Sequence, residues 1–232
     1  MNNAEWCAMN NAEWCDVVCR THGSRTAFDH AAWTSRTRTP PLYPDAVTLV
    51  PDPSVPDLLA RIDSSVGCSV KDSFASLDLT AQGFRVLFEA EWIVRTNAAP
   101  GSALANQPRW EQVADADALE AWEHAWRRDG DPRGLFRAEL LDNDDVTVLA
   151  APTMEGIVAG AVLYHGAEVV GLSNFFTEPH VASSSLASCL AFADTLFPGT
   201  ALVGYESGDR LDAARACGFA TAGPLRVWVH EG

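Results

Sequence analysis

Basic residues are scarce in this sequence. Its 232 residues include 16 lysines and arginines against 31 aspartates and glutamates, which gives a formal net charge of −15 at neutral pH. Such a chain repels the phosphates of nucleic acids and the surfaces of anionic lipid membranes, so we expect no nucleic-acid partner and no membrane partner. A small amine or another cation is a better match for the acidic balance.

Long hydrophobic runs are absent as well. No apolar stretch reaches the roughly 18 to 20 residues that cross a bilayer, and the N-terminus lacks the basic and apolar regions of a secretory signal. We therefore expect a soluble, cytoplasmic protein. Hydrophobic residues still make up 47% of the chain, which is enough to bury a substantial core in one large domain or two small ones.

The cysteines do not have the spacing of metal ligands. Cys15 and Cys19 lie one helical turn apart, but no second pair and no nearby His-x-x-x-His pattern completes a zinc site. We therefore predict no metal site. We interpret the six cysteines as buried thiols of a reducing compartment, namely Cys7, Cys15, Cys19, Cys68, Cys189 and Cys217.

A direct repeat opens the chain, because residues 1–8 read MNNAEWCA and residues 9–16 read MNNAEWCD. A period of eight matches neither the 3.6-residue turn of a helix nor a solenoid repeat. We interpret the first copy as a duplicated start. We expect the fold to begin near Asn10, with a helix that stops at His22 and Gly23.

The segment that follows alternates loops with short elements. Prolines interrupt residues 24–45, which predicts a surface connection in which Trp33 either flanks a ligand or packs as part of a lid. The pattern then predicts strands at 46–50 and 68–71, helices at 57–62 and 73–81, and a long apolar strand at 84–95. The small, polar, proline-bounded residues 97–108 indicate a linker.

The long apolar strand carries two acidic residues on one face. Strand alternation places Glu89 and Glu91 opposite Phe88, Ala90 and Trp92. This pattern fits an ordinary half-buried strand, and it also fits a cleft that attracts an ammonium group.

The second half of the chain has the clearest pattern. Residues 110–113 are strand-like, and helices are predicted at 115–128 and 132–141. The residues 146–151, 156–164 and 168–176 then predict three strands, followed by a helix at 183–196, a strand at 201–205, a short helix at 207–217 and a last strand at 220–230. A helix followed by Gly and Phe occurs twice, at Gly83-Phe84 and at Gly218-Phe219; it indicates either an internal repeat or two unrelated glycine-capped helices.

This order of elements resembles the GCN5-related N-acetyltransferase superfamily over residues 110–230. The residues that carry the likeness are the strands 156–164 and 169–176, the strand ALVGY at 201–205 and the segment AARACGF at 213–219. The resemblance implies an α+β fold with a mixed, mostly antiparallel central sheet flanked by helices. It further suggests an abbreviated second copy at 10–96, a linker at 97–108 and the main domain at 109–232.

The resemblance also implies a site for acetyl-CoA as cosubstrate. The strand at 169–176 would splay from the strand at 201–205 and bind the pantetheine arm through backbone groups, and the next helix would hold the pyrophosphate on free N–H groups. The residues implied for this role are Ser173, Asn174, Phe175, Phe176, Val181, Ser183, Ser184 and Ser185. A run of three serines is also typical of a simple helix N-cap.

Catalytic candidates lie at the ends of two strands. Glu206 is our candidate for the general base, although it could simply cap the helix that follows. His180 has a side chain suited to proton transfer near neutrality, and Tyr205 is a candidate acid. The tyrosine that often acts as acid in this superfamily is replaced by Ala214, and residues 178–185 lack the glycines and arginine of the usual phosphate loop.

These features predict an acyl-CoA-dependent N-acyltransferase that transfers an acetyl group to a small amine, with a homodimer as a further expectation. One alternative is a catalytically inactive module of the same fold that binds or senses a ligand. A second alternative is a purely structural dimerisation partner, which would carry a large apolar patch on the last strand and no cleft.

Overall fold

The computed structural model describes residues 1–96 and 107–232. Contacts between residues divide the chain into two compact units. Unit 1 contains Met1–Ile93, Tyr205–Leu211 and Thr221–Gly232, and unit 2 contains the described residues of Val94–Gly204 together with Asp212–Ala220. Most of the predicted linker, residues 97–106, lies outside the described residues, and the predicted domain boundaries stay a prediction.

The elements follow the chain in this order. The helices are α1 (Asn3–Thr21), α2 (Val55–Leu59), α3 (Ala116–Trp126), α4 (Ala182–Leu196) and α5 (Gly208–Ala216). The strands are β1 (Thr26–Phe28), β2 (Ala32–Ser35), β3 (Ala46–Thr48), β4 (Ser69–Asp72), β5 (Phe84–Arg95), β6 (Glu111–Gln112), β7 (Val146–Thr153), β8 (Gly156–Gly166), β9 (Val169–Thr177), β10 (Leu202–Glu206) and β11 (Ala220–His230). No described helix is long and apolar enough to cross a membrane.

Unit 1 contains a mixed sheet in the order β1-β2-β3-β4-β11. The strands pair antiparallel except for β3 and β4, which are parallel with Ala46 opposite Val70. Its core is a cluster of apolar side chains from α2, the strands and the connecting loops: Ala32, Ala46, Leu58, Ile62, Cys68, Val70, Leu77, Leu79, Phe84 and Trp228.

Residues 24–45 are part of this sheet, so the prediction of a surface connection is wrong. They contain β1 and β2, and Trp33 on β2 is fully buried. The Trp33 indole Nε1 donates to the Asp16 carboxylate over 2.9 Å. Buried apolar area on β2 outweighed the proline signals, and Trp33 neither flanks a ligand nor forms a lid.

The first copy of the N-terminal repeat is folded, so the expectation that the fold begins near Asn10 is wrong. Helix α1 begins at Asn3, and Asn2 and Glu5 form a reciprocal capping box in which the Asn2 side chain accepts from the Glu5 N–H. Cys7 and Ala8 are both 1% exposed. The helix therefore has a start signal at Asn2, Asn3 and Glu5, which the period of the repeat does not indicate.

Unit 2 is built on the order β10-β9-β8-β7-β6. The hairpin of β7 and β8 and the antiparallel pairing of β8 with β9 agree with the predicted strands, and β9 and β10 are parallel. The helices α3, α4 and α5 confirm the predictions made for those segments. Both units are α+β, and the mixed, mostly antiparallel sheet is as predicted.

Two predicted helices are replaced by loops with one short 3₁₀ turn each. In the segment 73–81, the Asp72 carboxylate accepts the N–H groups of Phe74 and Leu77, which removes them from any helical ladder. In the segment 132–141, the Leu135 N–H donates to the Glu123 carboxylate instead. The turns that remain are at Thr80–Gln82 and Ala138–Asp142.

The two Gly-Phe pairs behave as the sequence predicts. Gly83 and Gly218 have φ angles of +83° and +92°, the left-handed conformation of a C-cap. Phe84 and Phe219 are buried, with 4% and 5% exposure. The first pair follows a single 3₁₀ turn rather than a helix, and the partial second copy stays a prediction.

The cysteines are largely where the sequence predicts them. Cys217 is half-buried and the others are buried. Burial raises the pKa of the Cys15 thiol to about 11 and that of the Cys7 thiol to about 12. These two groups stay protonated at neutral pH and act as small apolar side chains.

Candidate functional site

The pairing of β9 with β10 ends early. Val170 lies opposite Leu202 and Gly171 lies opposite Val203, and no further pair joins these two strands in the described part of the chain. Strand β9 continues to Thr177 and keeps its pairing with β8. Its second half, residues 172–177, therefore carries backbone groups that an extended ligand can bind in the manner of an added strand.

A β-bulge lies in this second half of β9. Val162 of β8 is opposite Ser173 and Gly160 is opposite Phe176, so a single β8 residue faces both Asn174 and Phe175. Asn174 has a φ angle of +52°, a left-handed conformation that asparagine tolerates better than most residues. A bulge bends its strand and redirects its backbone groups, which accounts for the local departure from regular pairing.

The Phe176 side chain is used for packing. Its ring lies edge-on to Trp122, with 5.4 Å between the ring centroids. A Cβ atom on Gly160 would lie 2.3 Å from Phe176 and 2.3 Å from the Trp122 indole nitrogen, so only glycine fits between the rings. The Phe176 ring is thus packed against Trp122 on one side and is half-buried as a whole, and its role in cofactor binding stays a prediction.

The Ser173 side chain, in contrast to the packed Phe176 ring, has an unsatisfied polar group. Its Oγ is buried and has no hydrogen-bond partner among the described residues. A buried hydroxyl without a partner costs about 1–3 kcal/mol. A ligand acceptor at this point of β9 would remove that cost. Phe175, in the bulge, is half-buried.

Helix α4 begins without a side-chain cap. Val181 is the N-cap residue and makes no side-chain cap hydrogen bond. The Ser184 and Ser185 hydroxyls donate to the Val181 carbonyl over 3.4 and 2.7 Å, and Thr177 Oγ1 donates to Ser185 Oγ over 3.0 Å. Neither serine is the N-cap, and buried Ser185 is already committed within the protein.

The first turn of α4 consequently keeps backbone N–H groups that no side chain caps. Such groups, with the positive end of the helix dipole, favour an anion. The Ser185 hydroxyl is occupied by contacts within the protein, and the phosphate role of these residues stays a prediction. The Ser183 side chain lies outside the described part of the structure. His180 is exposed, in the 3₁₀ turn Pro179–Val181 before the helix.

Unit 1 contains a cavity of about 440 Å³ around Glu206, which we call the acidic cavity. Burial raises the pKa of the Glu206 carboxyl, and the nearby Arg210 guanidinium partly opposes this shift. A carboxylate with a raised pKa is a better base than an ordinary exposed one. The cavity is lined by Ala75, Glu89, Ala90, Glu91, Glu206, Ser207, Gly208, Leu211, Pro224, Leu225 and Arg226.

Charge in the acidic cavity is unbalanced. Arg226 donates through Nε and Nη2 to a single oxygen of Glu89, at 2.8 and 2.6 Å. Glu91 and Glu206 face the same cavity without an ion pair to any described residue. Three carboxylates against one guanidinium leave a formal charge of −2 when all are ionised. Both glutamates that the sequence suggested for a cleft, Glu89 and Glu91, line this cavity.

Tyr205 is held by aromatic and cationic neighbours within unit 1. Its ring is stacked with Phe88 at 6.4 Å and lies edge-on to Trp92 at 5.6 Å between centroids. The Lys71 ammonium lies 4.3 Å from the Tyr205 ring centroid and donates to Asn11 Oδ1 over 2.8 Å. The acid role of Tyr205 stays a prediction.

Sequence reasoning missed several residues of these sites. Arg226 and Leu211 line the acidic cavity, and Gly160 makes room for the aromatic packing behind β9, but none of them belongs to a recognisable motif. Alternation along the last strand could have placed Arg226 on one face, whereas its pairing with Glu89 depends on which strands are neighbours. That information is not local in the sequence.

The main features of this α+β fold are the mixed sheet, the bulged strand that separates from its parallel neighbour and the uncapped helix after it. Comparison with known proteins makes this more specific. No family model matches the sequence, and no curated protein matches it either. Solved structures do match.

A GCN5-related N-acetyltransferase from Kribbella flavida is 16% identical, with a TM-score of 0.61 and coverage of 95% of both chains. A functionally unknown conserved protein from Staphylococcus epidermidis is 12% identical, with a TM-score of 0.57, covering 90% of this chain and 95% of its own. A GNAT-family acetyltransferase structure from Novosphingobium aromaticivorans is 12% identical, with a TM-score of 0.55 and coverage of 97% and 99%. The chain therefore has the fold of the GCN5-related N-acetyltransferase superfamily, as the sequence predicts.

Proposed function

We propose that this protein is an acyl-CoA-dependent N-acyltransferase that transfers an acetyl group from acetyl-CoA to a small amine. The observation that carries the proposal is the early end of β9–β10 pairing together with the bulge at Asn174. The fold explains why a ligand is expected there, and the site itself supplies the donors.

The donor site that we propose lies in unit 2. The pantetheine arm would pair with the open edge of β9 between Leu172 and Thr177, and the pyrophosphate would meet the uncapped first turn of α4. The Ser173 hydroxyl would donate to an acceptor of the thioester end. Residues 178–185 carry no lysine or arginine, so the phosphate contacts rest on backbone N–H groups.

The amine is assigned to the acidic cavity of unit 1. Its negative charge attracts an ammonium ion, and Glu206 is the group that we propose as base. In the reaction the amine nitrogen attacks the thioester carbonyl, a C–N bond forms and the C–S bond breaks. The amine proton passes to the base, and the CoA thiolate takes up a proton from Tyr205 or water.

The donor site can be tested by thermal unfolding with acetyl-CoA, CoA and ADP. A ligand that binds only the native state raises the free energy of unfolding, by about 2.7 kcal/mol when its concentration is 100 times its Kd. The melting temperature rises with it. We expect acetyl-CoA and CoA to stabilise more than ADP, because ADP lacks the pantetheine arm. Equal stabilisation by all three, or none, contradicts the strand-like binding.

A matched pair of variants tests the bulge. Asn174→Val places a β-branched residue where φ is +52°, whereas Asn174→Gly keeps that conformation accessible. We expect Asn174→Val to weaken CoA binding by about 10-fold or more, and Asn174→Gly to bind like the unmodified protein. Equal affinities for the two variants would show that the bulge is not part of the site.

The second candidate function is a binding or sensing module of the same fold. It is favoured by Ala214, which is 2% exposed at the place where a tyrosine acid often stands in this superfamily. CoA binding without release of free thiol, across a panel of small primary amines and diamines, would support this second function. Thiol release with any of these amines would exclude it.

A further inference from the structure

A second cavity lies wholly within unit 2 and has no part in the proposed acyl transfer. It has a volume of about 370 Å³ and opens between α3 and the segment that follows it. We call it the α3 cavity. Its lining residues are Ala116, Leu119, Glu120, Glu123, His124, Arg127, Arg133, Gly134, Phe136 and Ala138.

One face of α3 forms one wall of this cavity. The lining positions 116, 119, 120, 123, 124 and 127 recur every three or four residues, which is the spacing of a single helix face. The opposite wall is fixed to this face, because Glu123, only 7% exposed, accepts the Leu135 N–H at 2.9 Å. The Glu123 carboxylate is thus already engaged in holding the cavity together.

The floor of the cavity is apolar and closely packed. Phe136 is 4% exposed and lies edge-on to Trp122 and Trp126, with centroid distances of 5.1 and 5.0 Å. Leu119 is 1% exposed. An apolar group that enters the cavity would therefore contact only the small exposed parts of two side chains that are packed in place.

Arg127, Arg133 and Glu120 are further charged groups of the α3 cavity, and none of them makes an ion pair with a described residue. Arg127 is half-buried, whereas Arg133 and Glu120 are exposed. Two cationic groups that are planar hydrogen-bond donors suit a carboxylate, which guanidinium binds through two parallel hydrogen bonds. One free carboxylate suits an ammonium group.

We propose that the α3 cavity binds a small amino acid with an apolar side chain. The carboxylate of the amino acid would contact Arg127 and Arg133, its ammonium group would contact Glu120, and its side chain would rest on Leu119 and Phe136. A volume of about 370 Å³ is sufficient for such a molecule. This ligand class differs from the cation that the acidic cavity attracts, and it requires no acyl transfer.

Three molecules that share the isobutyl side chain of leucine test the proposal by calorimetric titration of the complete protein. L-leucine has both charges, 3-methylbutylamine lacks the carboxylate, and 4-methylpentanoate lacks the ammonium group. We expect leucine to bind about 10-fold tighter than either analogue, since each lost contact with a charged group is worth about 1.4 kcal/mol or more. Binding of either analogue as tight as that of leucine, or no saturable leucine binding, overturns the proposal.

Variants assign the binding to the cavity. Arg127→Gln and Arg133→Gln should each weaken leucine binding by about 10-fold, whereas Arg128→Gln should not, because exposed Arg128 is the next residue and does not line the cavity. Glu120→Gln should weaken leucine binding and leave 4-methylpentanoate binding unchanged. An equal loss in Arg128→Gln, or none in Arg127→Gln and Arg133→Gln, contradicts the assignment. Acetyl-CoA binding measured in the same variants reports on the proposed function separately.

Discussion

The two cavities differ in how their charges are balanced. In the acidic cavity the one guanidinium, Arg226, is bound to Glu89, and two further carboxylates remain. In the α3 cavity the buried carboxylate of Glu123 accepts a backbone N–H, and two guanidiniums and the Glu120 carboxylate remain. The internal contacts therefore leave only carboxylates free in the acidic cavity, and groups of both charge signs free in the α3 cavity.

This difference shows that the net charge of a protein does not describe its sites. A chain with a formal charge of −15 still presents two unpaired guanidinium groups in one cavity. Ligand preference follows from the charges that remain after internal pairing, and from how far burial removes them from water. The following substitutions test the comparison, beginning with the largest expected effect.

Glu206→Gln should have the largest effect. Removal of a general base lowers kcat/KM by about 10²–10⁴-fold, and steady-state thiol release with a small amine measures it. Burial raises the pKa of Glu206, so the activity of the unmodified protein should fall as the pH drops through that raised pKa. The variant should lose this acidic limb. Asp209→Asn, an exposed neighbour in α5, serves as the control.

The raised pKa of Glu206 also predicts how the stability of the protein depends on pH. The folded state holds the Glu206 proton more tightly than the unfolded state does, so the free energy of unfolding should decrease as pH rises from near 4.5 through the raised pKa. Glu206→Gln should reduce this decrease and melt at a higher temperature than the unmodified protein at neutral pH. A lower melting temperature in the variant contradicts the assignment of Glu206 as a desolvated carboxyl.

Phe136→Ala should be the most destabilising change in the α3 cavity. The ring is buried against Trp122 and Trp126, and truncation of a buried Phe to Ala costs about 3–5 kcal/mol. Denaturant unfolding measures this loss. Phe28→Ala on β1 is the matched control, because that ring is 43% exposed and should lose much less. Similar losses in the two variants would mean that the floor of the cavity is not closely packed.

Much of this architecture is readable from local sequence. Residues 146–219 have the strand and helix periods that the structure contains, and Gly83 and Gly218 mark caps because left-handed φ angles favour glycine. The loops at 73–81 and 132–141 were misread as helices. Their backbone N–H groups are taken by the carboxylates of Asp72 and Glu123, and periodicity carries no information about such competition.

The candidate sites were less accessible to sequence reasoning than the fold. Glu206 and Asn174 became candidates because the resemblance to a known superfamily implies places for them at strands. Arg226 and Phe136 were not, since their roles depend on pairing and packing between segments far apart in the chain. The α1 capping box was missed because we interpreted the first copy of the repeat as a duplicated start that lies outside the fold.

Glu91→Gln should affect binding rather than chemistry. Glu91 lines the acidic cavity and makes no ion pair with a described residue, so its charge is free to contact an ammonium group. We expect KM for the amine to rise by about 10-fold with kcat nearly unchanged, which corresponds to about 1.4 kcal/mol of binding free energy. A fall in kcat with an unchanged KM would instead place Glu91 in the chemical step.

Glu89→Gln should have the smallest effect on stability, although it breaks the most visible ion pair of the acidic cavity. The Arg226 and Glu89 side chains are 27% and 62% exposed, and an ion pair in such surroundings contributes about 0.2–1 kcal/mol that salt weakens. A double-mutant cycle with Arg226→Gln isolates the pair, and repeating it at high salt should reduce the coupling free energy.

The single variant also releases the Arg226 guanidinium into the cavity, so KM for an amine should rise even though stability barely changes. A coupling well above 1 kcal/mol that salt does not weaken would mean that the pair is shielded from water. The acidic cavity would then be a more closed environment than the exposure of Glu89 indicates.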